Sequence, residues 1–174
     1  MTARGAIESR VGDLVVLLGD LKEVHEELLA VIQQKLAAMR RADTEALNSC
    51  LAREQFLTDR IRQREGLRQQ LVQLIGRELG LSSEQVQGLS LRELAERVDE
   101  PRRGQLLALS ACIRETLGAI DAANRVAALV TGEMLKHYRQ VYSAMARSGP
   151  SMGTYSSRGQ LAADRPAQVF EAVG

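Results

Sequence analysis

The chain has 174 residues, 45% of them hydrophobic and 26% charged, a globular composition too short for two ordinary domains. No Trp, two Phe, three Tyr and three Pro exclude an aromatic-rich β-sandwich or barrel and favour long aliphatic helices. The 23 basic and 22 acidic residues leave a net charge of +1, which disfavours a general polyanion-binding surface.

The N-terminal stretch contains only a short apolar run, Leu14 to Leu18, too short for a secretory core or a spanning helix. Cys50 and Cys112 stand alone, without CxxC pairing or a nearby His, and are expected as two buried reduced thiols. These features predict a cytoplasmic protein.

The first helix is predicted from Ile7 to Met39. Val11, Leu14, Leu18, Leu21, His25, Leu28 and Ile32 step by three and four, the spacing of an a/d seam, and Val15, Leu29 and Leu36 widen it. Arg40 to Asp43 reads as a tight reversal, with Asp43 as N-cap of a second helix from Thr44 to Leu79, closed by Gly80. Its predicted inward positions are Leu47, Cys50, Leu57, Ile61, Leu71, Leu74 and Ile75. Two long helices joined by a short turn make an antiparallel hairpin.

Leu81 to Pro101 changes character. Ser82 to Glu84 opens a single turn that Gly88 breaks, and Ser90-Leu91-Arg92-Glu93 is a capping box starting a short helix to about Val98. A third long helix opens near Pro101 and runs to about Arg147, with Leu106, Ile113, Ile120, Ala127, Met134 and Val141 at intervals of seven. Its ~45 residues span about 68 Å at the helical rise. The predicted fold is therefore all-α: a long antiparallel hairpin plus a third long helix packed as an elongated bundle or coiled coil, with short connector helices. Residues 1–147 form one domain and 148–174 a flexible C-terminal tail, in which Tyr155 and Phe170 are candidate docking residues or local contacts back onto the bundle.

Catalytic chemistry is absent from the pattern. A di-iron bundle needs Glu-x-x-His pairs, but Glu23 precedes His25 by two and Glu133 precedes His137 by four. There is no second His of a zincin motif, no G-x-S-x-G, no P-loop and no G-x-G-x-x-G. No enzyme activity, metal or cofactor is expected, and His25 is expected in the core or at its boundary. Arg53, Arg60, Arg64 and Arg68 share one side of the second helix, but intervening acids and Leu57 favour an ion-paired interruption of the seam over a phosphate-binding stripe. Interaction chemistry remains. Leu129, Val130, Met134, Tyr138, Val141, Tyr142 and Met145 put adaptable apolar groups on adjoining faces of the third helix, more than one seam absorbs. They are the candidate partner-binding residues.

Several stretches together resemble the FlgN family of flagellar export chaperones. Arg41-Ala42-Asp43-Thr44-Glu45-Ala46-Leu47 is similar to the family's small-acidic turn. Leu79-Gly80-Leu81, Ser90-Leu91-Arg92-Glu93-Leu94-Ala95, Pro101 and Leu106-Leu107 are similar to its "LGL…TLRELA…P…LL" run. Gly153-Thr154-Tyr155-Ser156-Ser157-Arg158-Gly159 looks like its Tyr-x-x-x-Gly element. The likeness spans about residues 10 to 160. One departure is Asp121 with Asn124, where members often carry two Asn. The resemblance implies a chaperone that binds hook-filament junction proteins, prevents premature association and presents them to the flagellar type III export gate, with Tyr155 contacting the gate. It implies no cofactor, no nucleic acid and no membrane insertion. Two other readings compete: a helical nucleic-acid-binding adaptor using the arginines of the second helix, and a purely structural coiled-coil scaffold.

Overall fold

A computed structural model describes residues 3–148, with side chains from 5 to 147. It contains α1 (Ala3–Arg41), α2 (Thr44–Glu78), α3 (Ser83–Gln87), α4 (Leu91–Ala95) and α5 (Arg102–Ser148), and no strand among the described residues. The predicted all-α hairpin-plus-third-helix architecture is the observed one. The chain divides into two compact units, residues 1–130 and 131–174.

In the first unit the α1 seam organises the core. Each of its seven a/d residues, His25 included, is buried. One core cluster joins Val11, Leu14, Leu18 and Leu21 to Val72 and Ile75 of α2, Leu94 and Ala95 of α4, and Leu106 of α5. The other joins Val24, Leu28, Val31 and Ile32 to Cys50 and Leu57 of α2 and Ile120 of α5. Ile61 packs against both. The His25 Nδ1–H donates to the Leu21 carbonyl at 2.6 Å, so this ring satisfies itself on its own helix and sits in the core.

The turns are built as the sequence dictates. Asp43 serves both helices: its backbone N–H closes α1 on the Ala38 carbonyl at 3.0 Å, and its carboxylate accepts from the Ala46 N–H at 3.0 Å. With the Ala42 N–H on the Met39 carbonyl, the α1 end is a Schellman motif, and it places Ala42 at φ +53°. The α2 end repeats the motif with Gly80 at φ +75°, where no Cβ has to be accommodated. Ser82 with Gln85 and Ser90 with Glu93 form two full capping boxes, fixing α3 and α4. The connector seats on α2 at Gly76, where an added Cβ would stand 3.0 Å from Val86 and 3.3 Å from Leu89. Helix α4 ends at Ala95, three residues short of the expected Val98, and the chain continues through a turn to α5.

Two expectations are corrected. Leu74 is exposed and Val72 is buried, because the α2 seam runs through Leu57, Ile61, Arg64, Arg68, Leu71 and Ile75 in unbroken steps of four and three, and Leu74 lies off that line. Cys112 is exposed on α5 while Cys50 is buried, since only one stripe of α5 faces the hairpin. The arginines of α2 are ion-paired, as the intervening acids led one to expect. Arg53 and Arg60 meet Glu27 of α1, Arg64 meets Asp20 at 3.7 Å, and Arg68 holds Glu65 with two bonds at 2.8 and 2.5 Å. Arg53 and Arg60 also stack their guanidinium groups on the Phe56 ring, at 5.1 and 5.8 Å.

Two predictions follow from the turn and the charged stretch of α2. Ala42→Gly relieves a left-handed residue whose cost is about 1–2 kcal/mol, partly offset by added freedom of the unfolded chain, so it should stabilise by about 0.5–1 kcal/mol. Asp43→Ala, one residue on, should destabilise by about 1 kcal/mol through the lost cap. Urea denaturation of both variants checks the opposite signs. The hydrogen bond from Arg68 holds the Glu65 carboxyl below its usual value of 4.5. A carboxylate with a depressed folded-state pKa stabilises above its unfolded value, and that contribution disappears as pH falls through the folded value. The thermal midpoint should therefore drop from pH 6 to pH 3, and drop less in Glu65→Gln; equal drops would exclude this pair as a contributor.

Candidate partner-binding face

The amphipathic pattern of α5 decides which of its residues are available. In the first unit its inward stripe is Leu106, Ile113, Ile120 and Ala127, three of them buried and Ile113 half-buried. The same seven-residue step runs on in sequence through Met134 and Val141, but Val141 is 43% exposed. Around it, Tyr138 is 63%, Tyr142 72% and Met145 68% exposed, while Val130 and Met134 are half-buried. Large apolar side chains at such exposure do not contribute to a core. They form an open stripe.

Helical geometry sorts the candidate residues. At 100° per residue, Val130, Met134, Tyr138, Val141 and Met145 fall within about 80° of arc, and Tyr142 widens the stripe by about 40°. Leu129 is exposed and belongs to the first unit. Leu135, 53% exposed, was missed by the sequence reading and belongs beside Tyr142. The signal was present, since Leu135 stands seven residues before Tyr142 and therefore on nearly the same line. Within the second unit the open face is thus Met134, Leu135, Tyr138, Val141, Tyr142 and Met145.

Its chemistry suits an adaptable contact. The two Met are unbranched and polarisable, and each Tyr combines apolar area with a hydroxyl at small rotamer cost. The His137 and Tyr138 rings meet tilted, 6.5 Å between centroids. Seam residues 134, 138, 141 and 145 alternate steps of four and three, the spacing with which one helix receives another. Among the described residues no three His, Cys, Asp or Glu side chains are grouped to hold a metal ion, and no helix is long and apolar enough to cross a membrane. Tyr155, with the Gly153 to Gly159 element and Phe170, lies outside the described residues.

Comparison with curated proteins and with solved structures gives no significant match. A family model described as FlgN protein matches residues 10–163, most of the chain, covering the hairpin, the connector, α5 and the Tyr155 element. The chain belongs to the FlgN family, whose general role is that of a flagellar export chaperone.

Proposed function

We propose that this protein is a cytoplasmic chaperone for the hook-filament junction proteins. It binds their helical segments on α5, prevents their premature association and delivers them to the cytoplasmic domain of the flagellar export gate. The observation that carries the reading is the open Met/Tyr stripe of α5, with Tyr138, Tyr142 and Met145 each more than 60% exposed. A seam that the described residues leave open offers a temporary partner to another amphipathic helix, as helix-in-groove recognition requires. The nucleic-acid reading loses its support because Arg53, Arg60, Arg64 and Arg68 are paired with carboxylates of α1 and α2.

Replacing Val141 and Tyr142 together by Asp places charge where apolar burial is required. A buried Val or aromatic contributes on the order of 1.5–3 kcal/mol, so affinity for the junction protein should fall at least tenfold while helix content is kept. Calorimetric titration of purified junction protein against both forms checks this; a folded double variant binding normally places the cargo elsewhere. Tyr155 is assigned to the gate on its family resemblance. Tyr155→Ala should leave helix content and cargo affinity unchanged and weaken binding of the loaded chaperone to the gate domain, measured by titration. Equal gate affinity removes the docking role, and weakened cargo binding with intact gate binding moves Tyr155 to the cargo site.

A further inference from the structure

Along α2, Arg53, Arg60, Arg62, Arg64 and Arg68 each meet a carboxylate of the same chain. Along residues 131–147 there are three cationic residues, Lys136, Arg139 and Arg147, and a single acid, Glu133. Glu133 is 3.8 Å from Lys136, and neither Arg139 nor Arg147 has a carboxylate partner among the described residues. Arg139 is exposed and borders the open apolar stripe, one helical turn from Leu135 (i−4) and from Tyr142 (i+3). Among the described residues the stretch therefore leaves two needs unmet on one side of one helix: an apolar seam without a facing surface and a cation without a counter-charge.

We infer that the segment bound by this face is an amphipathic helix with carboxylates flanking its apolar seam, one of them placed to meet Arg139. The inference rests on the reading of this face as the cargo site and adds the electrostatic character of the cargo. A second copy of the same stretch does not meet the need, because its lone Glu133 is set against three cations. The four-three spacing of Met134, Tyr138, Val141 and Met145 is that of helix-on-helix packing and favours a peptide over a lipid surface. The face selects its helix by apolar burial, and Arg139 sets register and excludes basic-flanked helices, since complementary charge governs specificity more than raw affinity.

The probes are two synthetic peptides of about 18 residues, five helical turns, sharing one Leu seam and differing only in Glu or Lys at the flanks. Binding to the full chain is followed by fluorescence anisotropy. At about 0.01 M salt, where screening is weak, the Glu-flanked peptide should bind at least tenfold tighter, and the preference should collapse at about 1 M. Arg139→Glu should abolish or reverse the preference. Arg62→Glu, the same charge change on α2, should leave it intact. Equal binding of the two peptides, a preference surviving Arg139→Glu, or equal sensitivity to Arg62→Glu would each overturn the inference. Binding to phosphatidylglycerol vesicles without discrimination between the peptides would overturn it in favour of a lipid surface. The double Val141→Asp, Tyr142→Asp variant separates the two levels. If it loses both peptides while the wild type binds them equally, the face stands and the charge rule fails. If it binds both as the wild type does, the face itself is wrong.

Discussion

One apolar stripe on α1 is the constraint on which the first unit depends. Val11, Leu14, Leu18, Leu21, Leu28 and Ile32 contribute to the two core clusters, which together also take in residues of α2, α4 and α5. Helix α2 packs along α1, while α4 joins the first cluster through Leu94 and Ala95, and α5 joins the two clusters through Leu106 and Ile120. With no Trp and two Phe in the chain, the packing is carried by many small aliphatic contacts rather than a few large anchors. Removing a buried Leu such as Leu18 therefore leaves a gap that no aromatic neighbour fills, and costs of about 2–5 kcal/mol belong to such truncations.

The polar interval of α2 has a matching consequence. From Arg62 to Gln70 no residue is buried, so the two clusters are separated by a belt in which Arg64, Glu65 and Arg68 are half-buried. The belt's pairs are partly solvated, and pairs of that kind contribute little net stability. What they do is consume the charge. By tying Asp20, Glu27 and Glu65 to arginines, the first unit leaves its α1–α2 surface balanced and unattractive to polyanions.

The architecture was legible in the sequence wherever a local rule and the global pattern agreed. All seven a/d residues of α1 are buried, Asp43 caps, Gly80 takes the left-handed position, and Ser90 with Glu93 forms its box, because each depends on neighbours within one turn. The failures share a different cause. Leu74 and Cys112 are apolar enough for a core, but whether they face it depends on the register of a helix against its neighbours, which composition does not encode. Ala42 at φ +53° was invisible for a related reason: the αL place is created by the reversal, and Ala carries no mark of it. On the candidate face, Leu135 is found by counting at 100° per residue, seven positions before Tyr142.

Exposure of the α5 stripe is best understood beside those matched surfaces. A solvent-facing Tyr, Val or Met in a folded chain forgoes the burial that drives folding, and a contiguous set of them invites aggregation unless something covers it. The chain had ordinary means to avoid this, since polar residues at 138, 142 and 145 would keep a solvated helix at no cost to the α1 core. Instead the seven-residue apolar step runs through Met134 and Val141, the charges thin out, and Arg139 remains without a counter-ion among the described residues. On α2, Arg53, Arg60, Arg62, Arg64 and Arg68 are spent on carboxylates of the same chain, whereas beside the stripe Arg139 is not. A chaperone that must release its cargo has reason to bind through such a stripe. A Met- and Tyr-rich face repacks around different helices, and its affinity is set by one face of one helix rather than by a closed core.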